Sequence, residues 1–378
     1  SRELFRRIVE PHSARAFKVR NILYLEMLLK NTRRKLLRYK QIIMESTTLM
    51  MKEEEDKDEE DSLLLSPPTT QTQQLLALKG GAKHSRGNVP CSHGEHFSCH
   101  LPDIEDVTLK NEWDETETSV DFSPKNWGWI HSIDSMTSVD GPGLRAMIFF
   151  QGCQKRCAFC CNPDSLEENV GKKMATEEVF SALETKMTYY RKSGGGITMS
   201  GGECMLQYRF VVALAREARA RGLTSIIDTA AAGNDMIWDF VLPHIDMVLL
   251  CCKSSHPVRY GKITGRPENF GVMLAFLAKL EEYKVPTWLR FVLMSSDDEK
   301  FQDIVTDGEE ELLGVAALAK MHKRCVKGVE ILPYHNFGAF KYKEMNIAYK
   351  LEQMKPPSDE VIRRAKRVIE GEGVKVLL

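Results

Sequence analysis

A chain of 378 residues has room for one large domain and an appendage. Its 52 Lys and Arg against 53 Asp and Glu leave a formal net charge of -1, so nothing pulls the whole chain toward nucleic acid or a membrane surface. No apolar run nears the ~20 residues that cross a bilayer, and ten cysteines in so long a chain do not read as disulfide staples.

The chain divides near Trp127, giving an expected extension over 1–125 and a folded domain over 126–378. Residues 1–52 are rich in Arg and Lys, with Leu and Ile spaced for a basic amphipathic helix between Val19 and Met44. The acidic run Glu53–Asp61 follows, then a Pro/Thr/Gln stretch and a Gly/His/Ser-rich one. Opposed charge blocks and low complexity predict a disordered tail. An Arg-rich start also fits an organelle-targeting segment, and Ser1 in place of Met leaves room for residues upstream. Cys91, His93, His96, Cys99 and His100 could bind zinc or belong to a plain linker.

From Trp127 onward strand, loop and helix alternate. Predicted strands are Ala146–Gln151, Gly196–Ser200, Thr224–Thr229, Met247–Cys252, Trp288–Met294 and Val329–Leu332. Predicted helices are Thr176–Lys192, with Thr176 as N-cap, Leu206–Arg221, Asp235–Phe240, Pro267–Tyr283, Glu309–Met321 and Asp359–Glu370. This alternation implies an α/β fold with a parallel sheet, either a barrel or an open sheet, with chemistry at the C-terminal ends of the strands.

The motifs fall at those ends. Cys153, Cys157 and Cys160 spell C-x3-C-x2-C after the first strand. Three thiolates on one loop can hold three irons of a [4Fe–4S] cube, leaving the fourth iron open to a substrate. A zinc knuckle is the alternative; it would want a fourth ligand nearby, and Cys161 is too close in sequence to Cys160 to share one ion readily. Clustered thiols of this kind belong to a reducing compartment, so the expected location is the cytoplasm, with the matrix of a mitochondrion or plastid as alternative. After the second strand, Gly201-Gly202-Glu203 brings backbone close to a ligand and offers a carboxylate to an ammonium group. Lys253 and His335 follow later strands and read either as ligand contacts or as ordinary surface charge and core histidine. Arg290 lies inside a strand; buried without a partner it would be costly, so a ligand counter-charge is expected.

The cysteine spacing and its position resemble the radical S-adenosylmethionine (SAM) superfamily, and flanking segments narrow the resemblance to the pyruvate formate-lyase-activating enzymes. Those segments are Ser138-Val139-Asp140-Gly141-Pro142-Gly143-Leu144-Arg145, Phe150-Gln151-Gly152-Cys153, Asn162-Pro163-Asp164, Gly194 to Gln207, Leu332-Pro333-Tyr334-His335 and Lys355-Pro356-Pro357. The resemblance covers Gly128–Leu378 and implies a partial (β/α)6 radical SAM barrel. It implies a [4Fe–4S] cluster on Cys153, Cys157 and Cys160, and SAM against Phe159, Cys160, Cys161, Gly202, Glu203, Cys251, Cys252, Lys253, Arg290 and His335. Glu203 would take the SAM amino group and Arg290 would lie near its carboxylate. The implied reaction is one-electron reductive cleavage of SAM, followed by removal of a hydrogen atom from a glycine Cα on the radical loop of pyruvate formate-lyase. Flavodoxin or ferredoxin would supply the electron. Asp140 and Arg145 are candidate contacts to the partner protein, a tight turn being the plainer reading of the same segment. The absence of cysteine between Cys161 and Cys204 matches the compact activases that lack a ferredoxin-like insert.

Several positions depart from the family pattern. Cys161 stands where histidine is usual, and Cys204 where proline or alanine is common. Asp228-Thr229 matches half of a monovalent-cation site whose other carboxylate is here Cys251, and a soft thiol should weaken such a site. Ala230-Ala231-Ala232 replaces a polar residue and glycine, and Met294-Ser295-Ser296 replaces a Val-Pro-Gly turn.

Overall fold

The computed structural model describes residues 122–377. The expected basic helix, the acidic run and the Cys/His group at 91–100 lie outside the described residues.

Chain order begins with strand β1 (Trp127–Thr137), which pairs antiparallel with β2 (Arg145–Phe150) and with β3 (Lys172–Ala175). Helices α1 (Thr176–Leu183) and α2 (Met187–Ser193) lead to β4 (Gly196–Gly201), and α3 (Tyr208–Ala220) leads to β5 (Thr224–Thr229). Then come α4 (Asp235–Val241), β6 (Met247–Cys251), α5 (Pro257–Thr264), α6 (Asn269–Tyr283) and β7 (Thr287–Leu293). The chain closes with α7 (Glu309–Met321), β8 (Val326–Pro333), α8 (Ala339–Glu344), α9 (Asp359–Gly371) and β9 (Val376–Leu377).

The sheet order is β3-β1-β2-β4-β5-β6-β7-β8-β9. Strands β2, β4, β5, β6, β7 and β8 run parallel, and helices connect each to the next from β2 through to β8. This is the expected partial (β/α)6 barrel, with β3 and β9 as its unjoined edges. Burial explains the strand sequences. In β4 and β6 every residue but the last is buried, so both faces demand apolar or small side chains. In β1 the outer half alternates partly buried and exposed positions, as expected of a strand with one face in water.

Boundaries moved where local chemistry intervened. The helix expected over Thr176–Lys192 is broken by a 3-10 turn at Glu184–Lys186, and Ala175, not Thr176, holds the N-cap position. There the Glu178 carboxylate accepts from the Ala175 amide (2.6 Å). The run Gly194-Gly195-Gly196 has a steric cause: Gly194 ends α2 in the left-handed region (φ 68°), and a Cβ on Gly195 would come within 1.8 Å of the Leu144 carbonyl oxygen. Strands β2 and β4 can therefore approach only with glycine there.

The main apolar core lies between the sheet and its helices. A second, smaller cluster of Ile263, Met294, Phe301, Tyr334, Leu351 and Met354 packs with Ala158 and Phe159, and so supports the loop that carries the cysteines.

Candidate active site

The ends of β2 and β4 are stitched together by backbone bonds. Gly202 N donates to Phe150 O (2.9 Å), Glu203 N to Gly152 O (2.8 Å) and Gly152 N to Ser165 O (2.9 Å). A Cβ on Gly202 would come within 2.1 Å of the Gly152 carbonyl oxygen. Gly202 thus lets the turn carrying Glu203 press against the residue that precedes Cys153.

Cys153, Cys157 and Cys160 are free, partly buried thiols on that loop. Burial raises Cys153 to about 11, with Cys157 adding to the rise. Burial raises Cys160 to about 12, again with Cys157 contributing. The three sulfurs thus act on one another electrostatically, and a metal must offset that cost by binding them as thiolates. Among the described residues no three His, Cys, Asp or Glu side chains converge as a single metal ion requires. A cube takes each thiolate on a different iron and leaves its fourth iron open, which three free thiols on one short loop can satisfy, whereas a zinc knuckle wants a fourth ligand.

Glu203 is buried at 3% exposure. Its Oε1 accepts from Thr229 Oγ1 (2.5 Å) and Met205 N (3.2 Å), and its Oε2 from Ala230 N (2.9 Å). The buried Lys155 donates to Ala231 O (3.2 Å) and brings Nζ to 4.0 Å from Oε2. That ammonium lies too far for a hydrogen bond, so Oε2 retains room for another donor. Ala231 itself sits in the left-handed region (φ 62°), where the family pattern has glycine.

Arg290, on β7, is the centre of an ion-pair web. Its Nε donates to Glu330 Oε2 (2.6 Å), Nη2 to Asp140 Oδ1 (3.0 Å) and Nη1 to Asp228 Oδ2 (3.3 Å). Burial opposes its charge, but Asp228 and Glu330 more than offset this and raise its pKa. The counter-charge expected of a ligand therefore comes from the chain itself, through carboxylates whose pairing with Arg290 has no short-range sequence signal.

Asp228 also accepts from Ser200 Oγ (2.7 Å) and from the Cys251 thiol (3.5 Å). Burial pushes that thiol up to about 12. Cys251 is thus a hydrogen-bond donor to Asp228 where the family pattern has a second carboxylate. Lys253, after β6, lies over the Phe159 ring at 5.1 Å. Burial works against its charge, while Cys251, Cys157 and Asp228 raise its pKa above the usual range.

The remaining expected contacts have varied surroundings. Arg145 is fully buried, donating to Thr198 Oγ1 (2.7 Å), Thr224 Oγ1 (2.9 Å) and the Ile197 and Pro142 carbonyls. It is a structural residue and offers no surface to a partner. The Asp140 segment joins the N-terminal end of β2, opposite the end that carries the cysteines, and its carboxylate is taken by Arg290 and Thr137. Cys252 is buried in the main core with its thiol on Ser254 O (3.6 Å), away from a ligand-facing position. His335 is exposed after β8, its ring stacked on Phe337 at 4.5 Å. Cys161 is exposed, with Gly338 packed so closely that a Cβ there would meet the Cys161 backbone at 2.6 Å.

Sequence reasoning passed over three supports. Lys155 was visible only as a spacer between ligands. Glu311, 2% exposed on α7, accepts from Ser255 N (2.5 Å), Ser254 Oγ (3.0 Å) and Arg259 Nη1 (2.6 Å), and so pins the loop after Lys253. On α8, Lys341 bonds Asn162 Oδ1 (2.9 Å) and Asp164, and Tyr342 donates to Cys160 O (3.0 Å). The Asn-Pro-Asp motif is the anchor for that cover.

A family model described as a 4Fe-4S single cluster domain matches residues 139–247. A pyruvate formate-lyase-activating enzyme from Staphylococcus epidermidis is 36% identical over 253 residues, spanning 65% of this chain and 96% of the relative. One from Clostridium pasteurianum is 36% identical over 242 residues, spanning 64% of this chain and 97% of the relative. A solved domain of pyruvate-formate lyase-activating enzyme from Bacteroides vulgatus superposes with a TM-score of 0.39 at 20% identity, covering 48% of this chain and 98% of that one. With nearly the whole length of both curated relatives aligned, the chain belongs to the pyruvate formate-lyase-activating enzyme family.

Proposed function

We propose that this chain uses a [4Fe–4S] cluster and SAM to place a glycyl radical on pyruvate formate-lyase, drawing its electron from a flavodoxin or ferredoxin. The observation that carries the reading is the bond from Glu203 N to Gly152 O (2.8 Å), which ties the carboxylate turn to the three-thiol loop. Cys153, Cys157 and Cys160 would hold the cluster, and Glu203 Oε2 would take the SAM amino group beside Lys155. Bound there, the cluster supplies the electron and SAM the hydrogen-abstracting group. The protein's share is to fix these groups at the strand ends, with Phe159 and the smaller apolar cluster keeping water from the loop.

The test is anaerobic reconstitution with iron and sulfide, then SAM, dithionite and pyruvate formate-lyase, followed by electron paramagnetic resonance. About four irons and four sulfides per chain and a glycyl radical signal on the partner are expected. Stoichiometric zinc without a brown chromophore, or a cluster that survives the triple Cys→Ala variant, would refute the cluster. A small metabolite that stimulates SAM cleavage while the partner does not would refute the activase reading. Asp140 remains a proposed determinant of partner activation, now through its hold on Arg290. Asp140→Ala should lower radical formation more than SAM binding.

A further inference from the structure

Tyr260 is fully buried, and among the described residues its phenolic oxygen finds no hydrogen-bond partner. Leaving a buried hydroxyl unpaired forfeits its hydrogen bonds to water, so its persistence points to an acceptor supplied when the site is filled. The location narrows what that acceptor is. Tyr260 lies on α5, which braces the cysteine loop. Arg156 N donates to Thr264 O (2.9 Å) and Ala158 N to Ile263 O (2.8 Å), so the last turn of α5 holds the two amides on either side of Cys157. Arg266, just past that helix, donates to Gln154 O (3.0 Å).

Tyr260 is one turn back from Thr264, whose hydroxyl donates to the Tyr260 carbonyl (2.7 Å). Its ring is fixed edge-on to Phe270 at 5.6 Å, so the hydroxyl has little freedom to seek another partner. Burial holds the phenol well above its usual range; among the charges that act on it, Cys157 comes first, ahead of Lys253, Cys252 and Glu203. The hydroxyl is therefore a neutral donor, one turn back from the residues that hold the amides on either side of Cys157.

We infer that Tyr260 is a positioning residue for the cluster, its hydroxyl donating a hydrogen bond to the Cys157 thiolate once iron is bound. The inference rests on the cluster reading above. A donor to a cluster sulfur stabilises the reduced, more negative state, so it makes the cluster easier to reduce. Tyr260 would thereby tune how readily the cluster accepts its electron without itself gaining or losing a proton.

The experiment is an anaerobic potentiometric titration of the reconstituted full-length protein, with the reduced cluster read by electron paramagnetic resonance. Tyr260→Phe keeps the ring and removes only the hydroxyl. It should take up as much iron and sulfide as the wild type, but its one-electron reduction equilibrium should weaken about tenfold, a fall of ~59 mV. Replacing Tyr260 by 3,5-difluorotyrosine, a stronger donor of nearly the same shape, should move the midpoint the other way. Should the Phe variant fail to load, the sign of this shift alone decides, a raised midpoint supporting the inference and a lowered or unchanged one overturning it. Opposite shifts support the inference, because loosened packing would not reverse sign with donor strength. Unchanged midpoints in fully loaded variants, or shifts of the same sign, overturn the role of Tyr260 alone. A wild-type chain that takes up no cluster overturns the cluster reading itself.

Discussion

Replacing Arg290 with Met tests whether the web of carboxylates is held by one guanidinium. Met keeps much of the side-chain length and removes the charge. Asp140, Asp228 and Glu330 then lose contacts at 3.0, 3.3 and 2.6 Å. All four side chains are at most 17% exposed, so water screens them little. Breaking a buried pair by removing one partner costs about 3–5 kcal/mol, most of it from the charges left behind. At ~2–4 °C per kcal/mol in a domain of this size, Tm should fall by roughly 6–20 °C. Arg290→Lys should fall in between, since one ammonium cannot span three carboxylates in the geometry of a fork. Adding Asp228→Asn to Arg290→Met should recover part of the loss, because it removes one uncompensated charge. Circular dichroism melts of the apo-protein at neutral pH provide the readout. A drop below ~2 °C for Arg290→Met, or no recovery in the double variant, would refute the reasoning.

Three further outcomes follow from the same geometry. In the proposed site the SAM amino group would share Glu203 Oε2 with the Lys155 ammonium 4.0 Å away, two like charges that repel, so Lys155→Met should lower the apo-protein's Tm yet enlarge the shift that SAM produces in a thermal-shift assay; an unchanged SAM shift would count against that repulsion. SAM cleavage by the natural chain should depend only weakly on sodium or potassium, and Cys251→Asp should strengthen that dependence, because it sets a second oxygen anion beside Asp228; a variant whose rate is the same with and without either cation would dismiss the site. His322 and His256 are both lowered from 6.5, chiefly by burial, so the fold favours their neutral forms. Their contribution is complete above pH ~6.5 and is lost as pH falls through the folded values. Urea midpoints should therefore decline from pH 7.5 to 5.5, and His322→Asn, which keeps a donor for Glu281, should flatten that decline; an equal slope in the variant would exclude His322 as a source.

The parallel strands, the cysteine loop and the Gly-Gly-Glu turn were legible in the sequence because each is local. Strand β5 and helix α7 begin and end where periodicity set them, since a parallel strand buried on both faces and a helix with an acidic first turn announce themselves within one window. The hairpin of β1 with β2, the short β3 and β9, and helices α5 and α8 were not predicted. Strand β1 mixes His, Ser and Asp among its apolar residues, and its pairing with β2 is set by partners elsewhere in the chain. The same division governs the site. Spacing alone places three thiols on one loop, because the last lies seven positions after the first. Which carboxylates face Arg290, that Arg145 is fully buried, that Lys155 turns toward Glu203, and that the helix of Tyr260 braces Cys157's loop depend on strands far apart in sequence becoming neighbours. Burial then decides which of those charges must be paired and which hydroxyl is left waiting for one, and burial is a property of the folded chain.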